Sequence, residues 1–150
     1  MSENKRRLGA TDLGLDLAQG TDAQVFKWLI ACQLFGARIS QEIAARTFHV
    51  LEADGVLTPA ALASADWQHL VDLLGEGGYR RYDESTAREL ISVGSYVQER
   101  YGGRITRVRL ADDGGTASKA EITRRLQEFK GIGPTAARIF LRDMGPVWGL

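Results

Sequence analysis

Apolar residues recur along this chain at spacings of three and four, and that period predicts helices from end to end. Asp22 to about Phe35 carries Val25, Phe26, Trp28, Leu29, Ile30, Cys32, Leu34 and Phe35. A helix apolar nearly all round belongs in the middle of a bundle, and Thr21 or Asp22 can cap it. Ser40 caps a second helix with Ile43, Thr47, Val50 and Leu51 along one side, which Gly55 stops. Thr58-Pro59 opens a short helix through Ala63, and Asp66 opens another through Leu74. The Gly75-Glu76-Gly77-Gly78 stretch reads as a loop. Glu84 to Tyr101 is the longest helical pattern, with Ala87, Leu90, Ile91, Gly94, Val97 and Tyr101 on one face, and Gly102-Gly103 ends it. Arg104 to Ala117 reads as a polar, exposed connector; its brief alternation over Arg104 to Leu110 is taken as extended loop. Ser118 caps a helical run that ends at Phe129.

The predicted fold class is all-α, a six- to seven-helix bundle in one domain over residues 21–150. Residues 1–20 read as a mobile arm, basic at Lys5-Arg6-Arg7, with a short packed segment around Leu13 to Leu17. Such a run can touch phosphates but is more often simply solvated.

The last helical boundary carries the most chemistry. In Leu126 to Arg142, LQEFKGIGPTAARIFLR, two glycines flank one aliphatic residue at Gly131-Ile132-Gly133. Pro134 follows where a first helical turn tolerates it, because its missing N–H would be unpaired there anyway. Ala137, Phe140, Leu141 and Met144 then recur at helical spacing. Helix, tight hairpin, helix is the reading. Glycines let backbone approach a ligand, and the second helix aims its positive dipole end at it, which suits a backbone phosphate. The same pattern also serves as a plain corner between helices.

The formal net charge is zero, from 19 basic and 19 acidic residues, which excludes a strongly basic nucleic-acid binder but not a local basic face. That face is expected around the hairpin, where Lys119, Arg124, Arg125, Lys130, Arg138 and Arg142 outnumber Glu121 and Glu128. A single cysteine, Cys32, excludes an internal disulfide framework and a four-cysteine iron–sulfur cluster. No apolar run approaches a membrane span and no signal-peptide core opens the chain, so a cytoplasmic protein with no membrane partner is expected.

The hairpin, with an apolar residue two positions before its first glycine, resembles the helix-hairpin-helix motif of endonuclease III-type DNA glycosylases. The order of elements extends the resemblance over about Asp22 to Met144. An apolar helix ends in a polar loop with Gln33 in ACQLFGARIS, several helices follow, then a Gly-Tyr loop at Gly77-Gly78-Tyr79, a long helix and the hairpin. The resemblance implies the six-helix barrel fold and a partner in double-stranded DNA, held by its backbone from the minor-groove side. It also implies a setting in base-excision repair and nucleoid association. In the family the two loops reach into the duplex and replace a flipped base, a use that offsets part of the unstacking cost. Gln33 matches the family position, although a buried amide satisfying loop backbone fits it equally. Arg38, Tyr79, Arg80 and Arg81 are placed to stack on bases or meet phosphates, and a solvated polar side chain with no ligand accounts for each as well. Lys130, Gly131, Ile132, Gly133, Thr135 and Arg138 make up the hairpin's own contacts. The family's hairpin carbonyls hold a monovalent cation, so K⁺ or Na⁺ at the hairpin is implied by resemblance alone; no other cofactor is expected, and the protein is expected to be a monomer.

Chemistry is where the sequence departs from the family. Bifunctional members place a lysine nucleophile two residues after the second hairpin glycine; Thr135 stands there and cannot form a Schiff base. The family's aspartate would fall beyond Leu150, and Asp143 lies too early, reading as a surface residue. No catalytic residue is assigned. The expected function is a DNA-binding member of the glycosylase superfamily that is catalytically degenerate or truncated. An active monofunctional glycosylase with an unrecognised or partner-supplied acid, and a helical interaction module, are the alternatives. His49 and His69 lack metal-ligand spacing and read as partly buried histidines, Cys32 reads as a core thiol, and Asp112-Asp113 as a solvated turn. Trp28 and Trp67 suit core positions, and Trp148 suits packing back on the bundle.

Overall fold

The computed structural model describes residues 7–150, and Lys5 and Arg6 of the basic run lie outside them. Among the described residues the fold is all-helical: α1 (Asp22–Phe35), α2 (Gln41–Asp54), α3 (Pro59–Ala63), α4 (Trp67–Glu76), α5 (Asp83–Tyr101), α6 (Lys119–Leu126) and α7 (Pro134–Trp148). The N-terminal boundaries follow from side-chain caps. Thr21, Ser40, Thr58, Asp66 and Ser118 each accept a bond from the backbone N–H three residues on, closing one orphan donor of the first turn.

Helix α1 is buried on every side, from Val25 through Leu34 with only Lys27 partly exposed. It packs against α2 on one flank and α7 on another. From α2 the packing passes to α4, then α5, then α3, while α6 lies on α7. Helix α3 comes close to α5 because Gly94 has no side chain. A Cβ there would stand 2.6 Å from the Pro59 carbonyl oxygen and 2.8 Å from Leu62 Cβ.

Three expectations change. The connector after α5 is not an exposed extended loop. Ile105–Arg109 forms a 3-10 helix whose Ile105 and Val108, three apart, are fully buried between α1, α5 and α6. Helix α4 continues through Gly75 and Glu76, so the loop begins only at Gly77. The packed segment expected around Leu13 to Leu17 is present but begins earlier, at Ala10: Ala10, Leu13, Leu15 and Leu17 are core residues around a 3-10 turn at Thr11–Leu13. Asp143 is correspondingly not a free surface carboxylate. It accepts from Ala10 N–H at 2.9 Å and from Arg142 Nε at 2.9 Å, and Arg142 donates to the Leu8 carbonyl at 2.9 Å.

At the chain's other end α7 runs on through Gly145, Pro146 and Val147 to Trp148. Pro146 lacks the N–H that would bond the Arg142 carbonyl. The ring of Trp148 packs at 5.8 Å on Phe140, two turns earlier. Cys32 is a core thiol, and burial pushes its pKa well up. No described helix is long and apolar enough to cross a membrane.

Asp22 ties the 3-10 helix to α1. Its carboxylate accepts from Thr106 N (2.9 Å), Thr106 Oγ1 (2.7 Å) and Arg104 Nε (3.0 Å). Burial by itself raises this carboxyl's pKa, but the bonds from Thr106 and Arg104 outweigh it and the net shift is downward. Asp22→Asn is expected to cost about 1.5–3 kcal/mol at pH 7 by urea denaturation, the range of hydrogen bonds to a charged group. The depressed carboxyl contributes stability above its unfolded pKa, near ~3.9, and that contribution fades as pH falls through the folded value. Wild-type and variant stabilities should therefore converge in acid.

Candidate functional site

The hairpin is built from the inside. Phe129 and Ile132 are buried, and Ile132 N–H closes a turn on the Phe129 carbonyl at 3.1 Å. Between them Gly131 takes φ +89°, the left-handed region where a side chain is strained. Gly133 differs. Its backbone is extended, at φ −97° and ψ −169°, and a Cβ there would meet nothing within 4 Å. The fold does not require glycine at that position. Pro134 occupies the first turn of α7, whose N-terminus carries no side-chain cap, and Ala137 N–H is the first to bond back, to the Gly133 carbonyl. Lys130, Gly133, Pro134, Thr135 and Arg138 are all exposed around this end.

Three distant stretches meet here. The end of α1 packs directly on the first turn of α7, where a Cβ on Gly36 would lie 3.1 Å from Ala136 Cβ. The start of α5, behind the Gly-Tyr loop, closes the third side. Together they enclose a cavity of about 340 Å³ with Gln33, Tyr82, Glu89, Gly131, Pro134 and Thr135 in its lining. Gln33 is 4% exposed, and neither end of its amide has a hydrogen-bond partner. A Cβ on Gly131 would fall 2.5 Å from Gln33 Nε2 and 2.8 Å from Glu89 Oε1, so the amide and the carboxylate flank the hairpin glycine at close range. An unpaired buried amide is uncommon and costs about 1–3 kcal/mol.

Two loop residues stand elsewhere than expected. Gln33, in the last turn of α1, lies beneath the hairpin and cannot project as a wedge; nor does it satisfy loop backbone. Tyr79 is 2% exposed, with its hydroxyl accepting from Thr86 Oγ1 at 3.3 Å, and burial raises its pKa. It forms one wall of the cavity and cannot stack on an outside base. Arg38, Arg80 and Arg81 are exposed on the rims of the two loops, with the Arg81 guanidinium 5.3 Å from the Tyr82 ring centre. Ile132 contributes its backbone alone, since its side chain is in the core.

The basic face is smaller than its residues suggest. Arg124 is held by Glu121 at 2.6 Å and Glu128 at 2.9 Å, and Arg125 by Glu121 and the carbonyls of Val108 and Leu110. Hydrogen bonds from Arg124, then Arg125, hold the Glu121 carboxyl at about 2, so the cluster stays paired throughout the neutral range. Arg142 is engaged by Asp143. Lys119, Lys130 and Arg138 remain without an ion pair among the described residues, and Lys119 and Arg138 share a shallow hollow between α6 and α7.

His49 and His69 are about half exposed and face Glu52 at 3.4 Å and Asp54 at 3.0 Å. No metal-holding group of His, Cys, Asp or Glu occurs among the described residues. Trp28 is a core residue, whereas Trp67 is only partly buried and donates to the Glu84 carbonyl at 3.1 Å. Sequence reasoning passed over Glu89, although Tyr82, Ser85 and Glu89 recur at spacings of three and four, a polar stripe at the start of α5. Neither a protein-family model nor a curated protein matches this chain.

The two hairpin glycines should separate in a stability measurement. Gly131→Ala is expected to lose about 1–3 kcal/mol, the usual cost of forcing a side chain into an unfavourable backbone region. Gly133→Ala should stay within about 0.5 kcal/mol of wild type, as surface changes do. Thermal denaturation of both variants checks the pair.

Proposed function

We propose that this domain binds double-stranded DNA by its backbone, from the minor-groove side, in the setting of base-excision repair. The observation that carries the reading is Gly133, an extended and unobstructed position where the fold has no need of glycine, set at the uncapped N-terminus of a long helix. A phosphate oxygen there would meet free N–H groups and the helix dipole, with the Thr135 hydroxyl, Lys130 and Arg138 alongside. Thr135 in place of a nucleophilic lysine removes Schiff-base chemistry from this reading.

Few free cations mean few released counterions. A duplex of about 15 base pairs should be retarded in low salt, with log K falling against log salt at a slope of roughly −2 to −3. Gly133→Arg places a bulky side chain at the phosphate position and is expected to abolish retardation while the fold persists. Unchanged binding in that variant would sink the proposal.

One observation favours a second reading, an active monofunctional glycosylase. The cavity beside the hairpin offers the Glu89 carboxylate and the unpaired Gln33 amide, a donor and acceptor set that suits a planar base. Damaged-base duplexes incubated with the protein and then treated with mild alkali would reveal abasic sites. Turnover lost in Glu89→Gln supports this reading; a panel with no excision leaves DNA binding alone.

A further inference from the structure

A second buried polar side chain among the described residues also lacks a partner: Tyr101, at its hydroxyl. Tyr101 closes α5, is 6% exposed, and its ring stacks on Phe129 of the hairpin at 6.1 Å and 17°. It lines a hollow of about 320 Å³ where the end of α5 meets the 3-10 helix and α6. Three guanidinium groups share that lining. Arg125 is fixed there, 18% exposed, through Glu121 and the two carbonyls, and its Nη2 has no acceptor among the described residues. Arg107 reaches only the Tyr101 carbonyl, at 3.5 Å, and Arg100 lies over the Tyr101 ring at 5.4 Å. Neither has an ion pair among the described residues. The single carboxylate in the lining is Asp112; Glu128, from beyond it, is engaged by Arg124 and Tyr96.

Arginines at the C-terminal end of α5 complement its dipole, and that accounts for Arg100 and Arg107 singly. It does not account for the Tyr101 hydroxyl, a donor whose burial without an acceptor costs about 1–3 kcal/mol. Arg125 is already paired by Glu121, but Arg100 and Arg107 against Asp112 still leave an excess of positive charge and fork-shaped donors, the arrangement that recognises tetrahedral oxyanions. Arg100 over the Tyr101 ring, Arg107 at its carbonyl and Arg125 in the same lining gather the charges around this one residue.

We propose that this hollow binds a phosphate group, with Arg125 as the fixed donor, Arg100 and Arg107 as donors that close on it, and the Tyr101 hydroxyl completing the set. The same chemistry serves a phosphodiester of a nucleic-acid backbone and a free phosphate or phosphomonoester.

Titration of the full chain with inorganic phosphate, followed by arginine side-chain NMR signals, tests the site directly. Saturable shifts at Arg100, Arg107 and Arg125 are expected. Tyr101→Phe should weaken phosphate binding by about tenfold, the worth of one charge-assisted hydrogen bond, without loss of melting temperature. Arg100→Gln with Arg107→Gln should abolish the shifts, and both residues are exposed enough that folding is not at stake. Absence of saturable shifts in wild type, or equal shifts in all variants, would overturn the proposal. Duplex DNA separates the sources. If the phosphate is a backbone one, the double variant also weakens retardation; if it is a free one, retardation is unchanged while phosphate binding is lost. Gly133→Arg should keep the phosphate shifts, so failure of the hairpin reading and failure of this one are told apart.

Discussion

Trp28 lies wholly inside the molecule, and its indole N–H donates to the Phe140 carbonyl of α7 at 3.3 Å. Around it α1 gives up every face to neighbours, with each large side chain worth about 1.5–3 kcal/mol of burial. This central rod fixes the rest. Gly36, just past its end, lets the first turn of α7 pack against it, since a Cβ there would stand 3.1 Å from Ala136 Cβ, so the hairpin is held by the best-buried element of the fold. The site therefore sits on a rigid frame, which is what precise placement of backbone N–H groups requires. The same closeness is what shuts Gln33 beneath Gly131.

Charge follows a similar division. The chain is neutral overall, and most of its arginines near the hairpin work within the protein. Arg124 and Arg125 brace α6 through Glu121, and Arg125 also holds the connector carbonyls of Val108 and Leu110. Arg142 fastens the N-terminal segment to α7. A tally of basic residues overstates what a ligand would feel, because a guanidinium already paired releases little on meeting a phosphate. What remains beside the start of α7 is a small set of exposed cations without an ion pair among the described residues.

Helix positions were legible because the apolar period and the capping residues agree, as at Ser40, Asp66 and Ser118. The hairpin was legible for a similar reason: glycine, aliphatic, glycine and proline each answer a local backbone demand. Short, non-repeating pieces were not. Ile105 and Val108 are too few to display a period, and their burial depends on Asp22 more than eighty residues away. Side-chain direction was the other gap. Gln33 and Tyr79 are polar residues next to loops, and nothing local says that the hairpin folds over one and α5 over the other. Glu89 carried a faint signal in its spacing from Tyr82 and Ser85, but its nearness to Gly131 is purely tertiary.

Buried polar groups without partners are rare in folded proteins, since each forfeits its bonds with water. Among the described residues here the two side chains of that kind are Gln33 and Tyr101, and both lie against the hairpin. Gln33 is beneath Gly131, and Tyr101 is stacked on Phe129 two residues before it. Each lines a cavity of more than 300 Å³, one with a carboxylate and one with three arginines. Their placement sets the hairpin between two cavities, each lined by one of these two side chains.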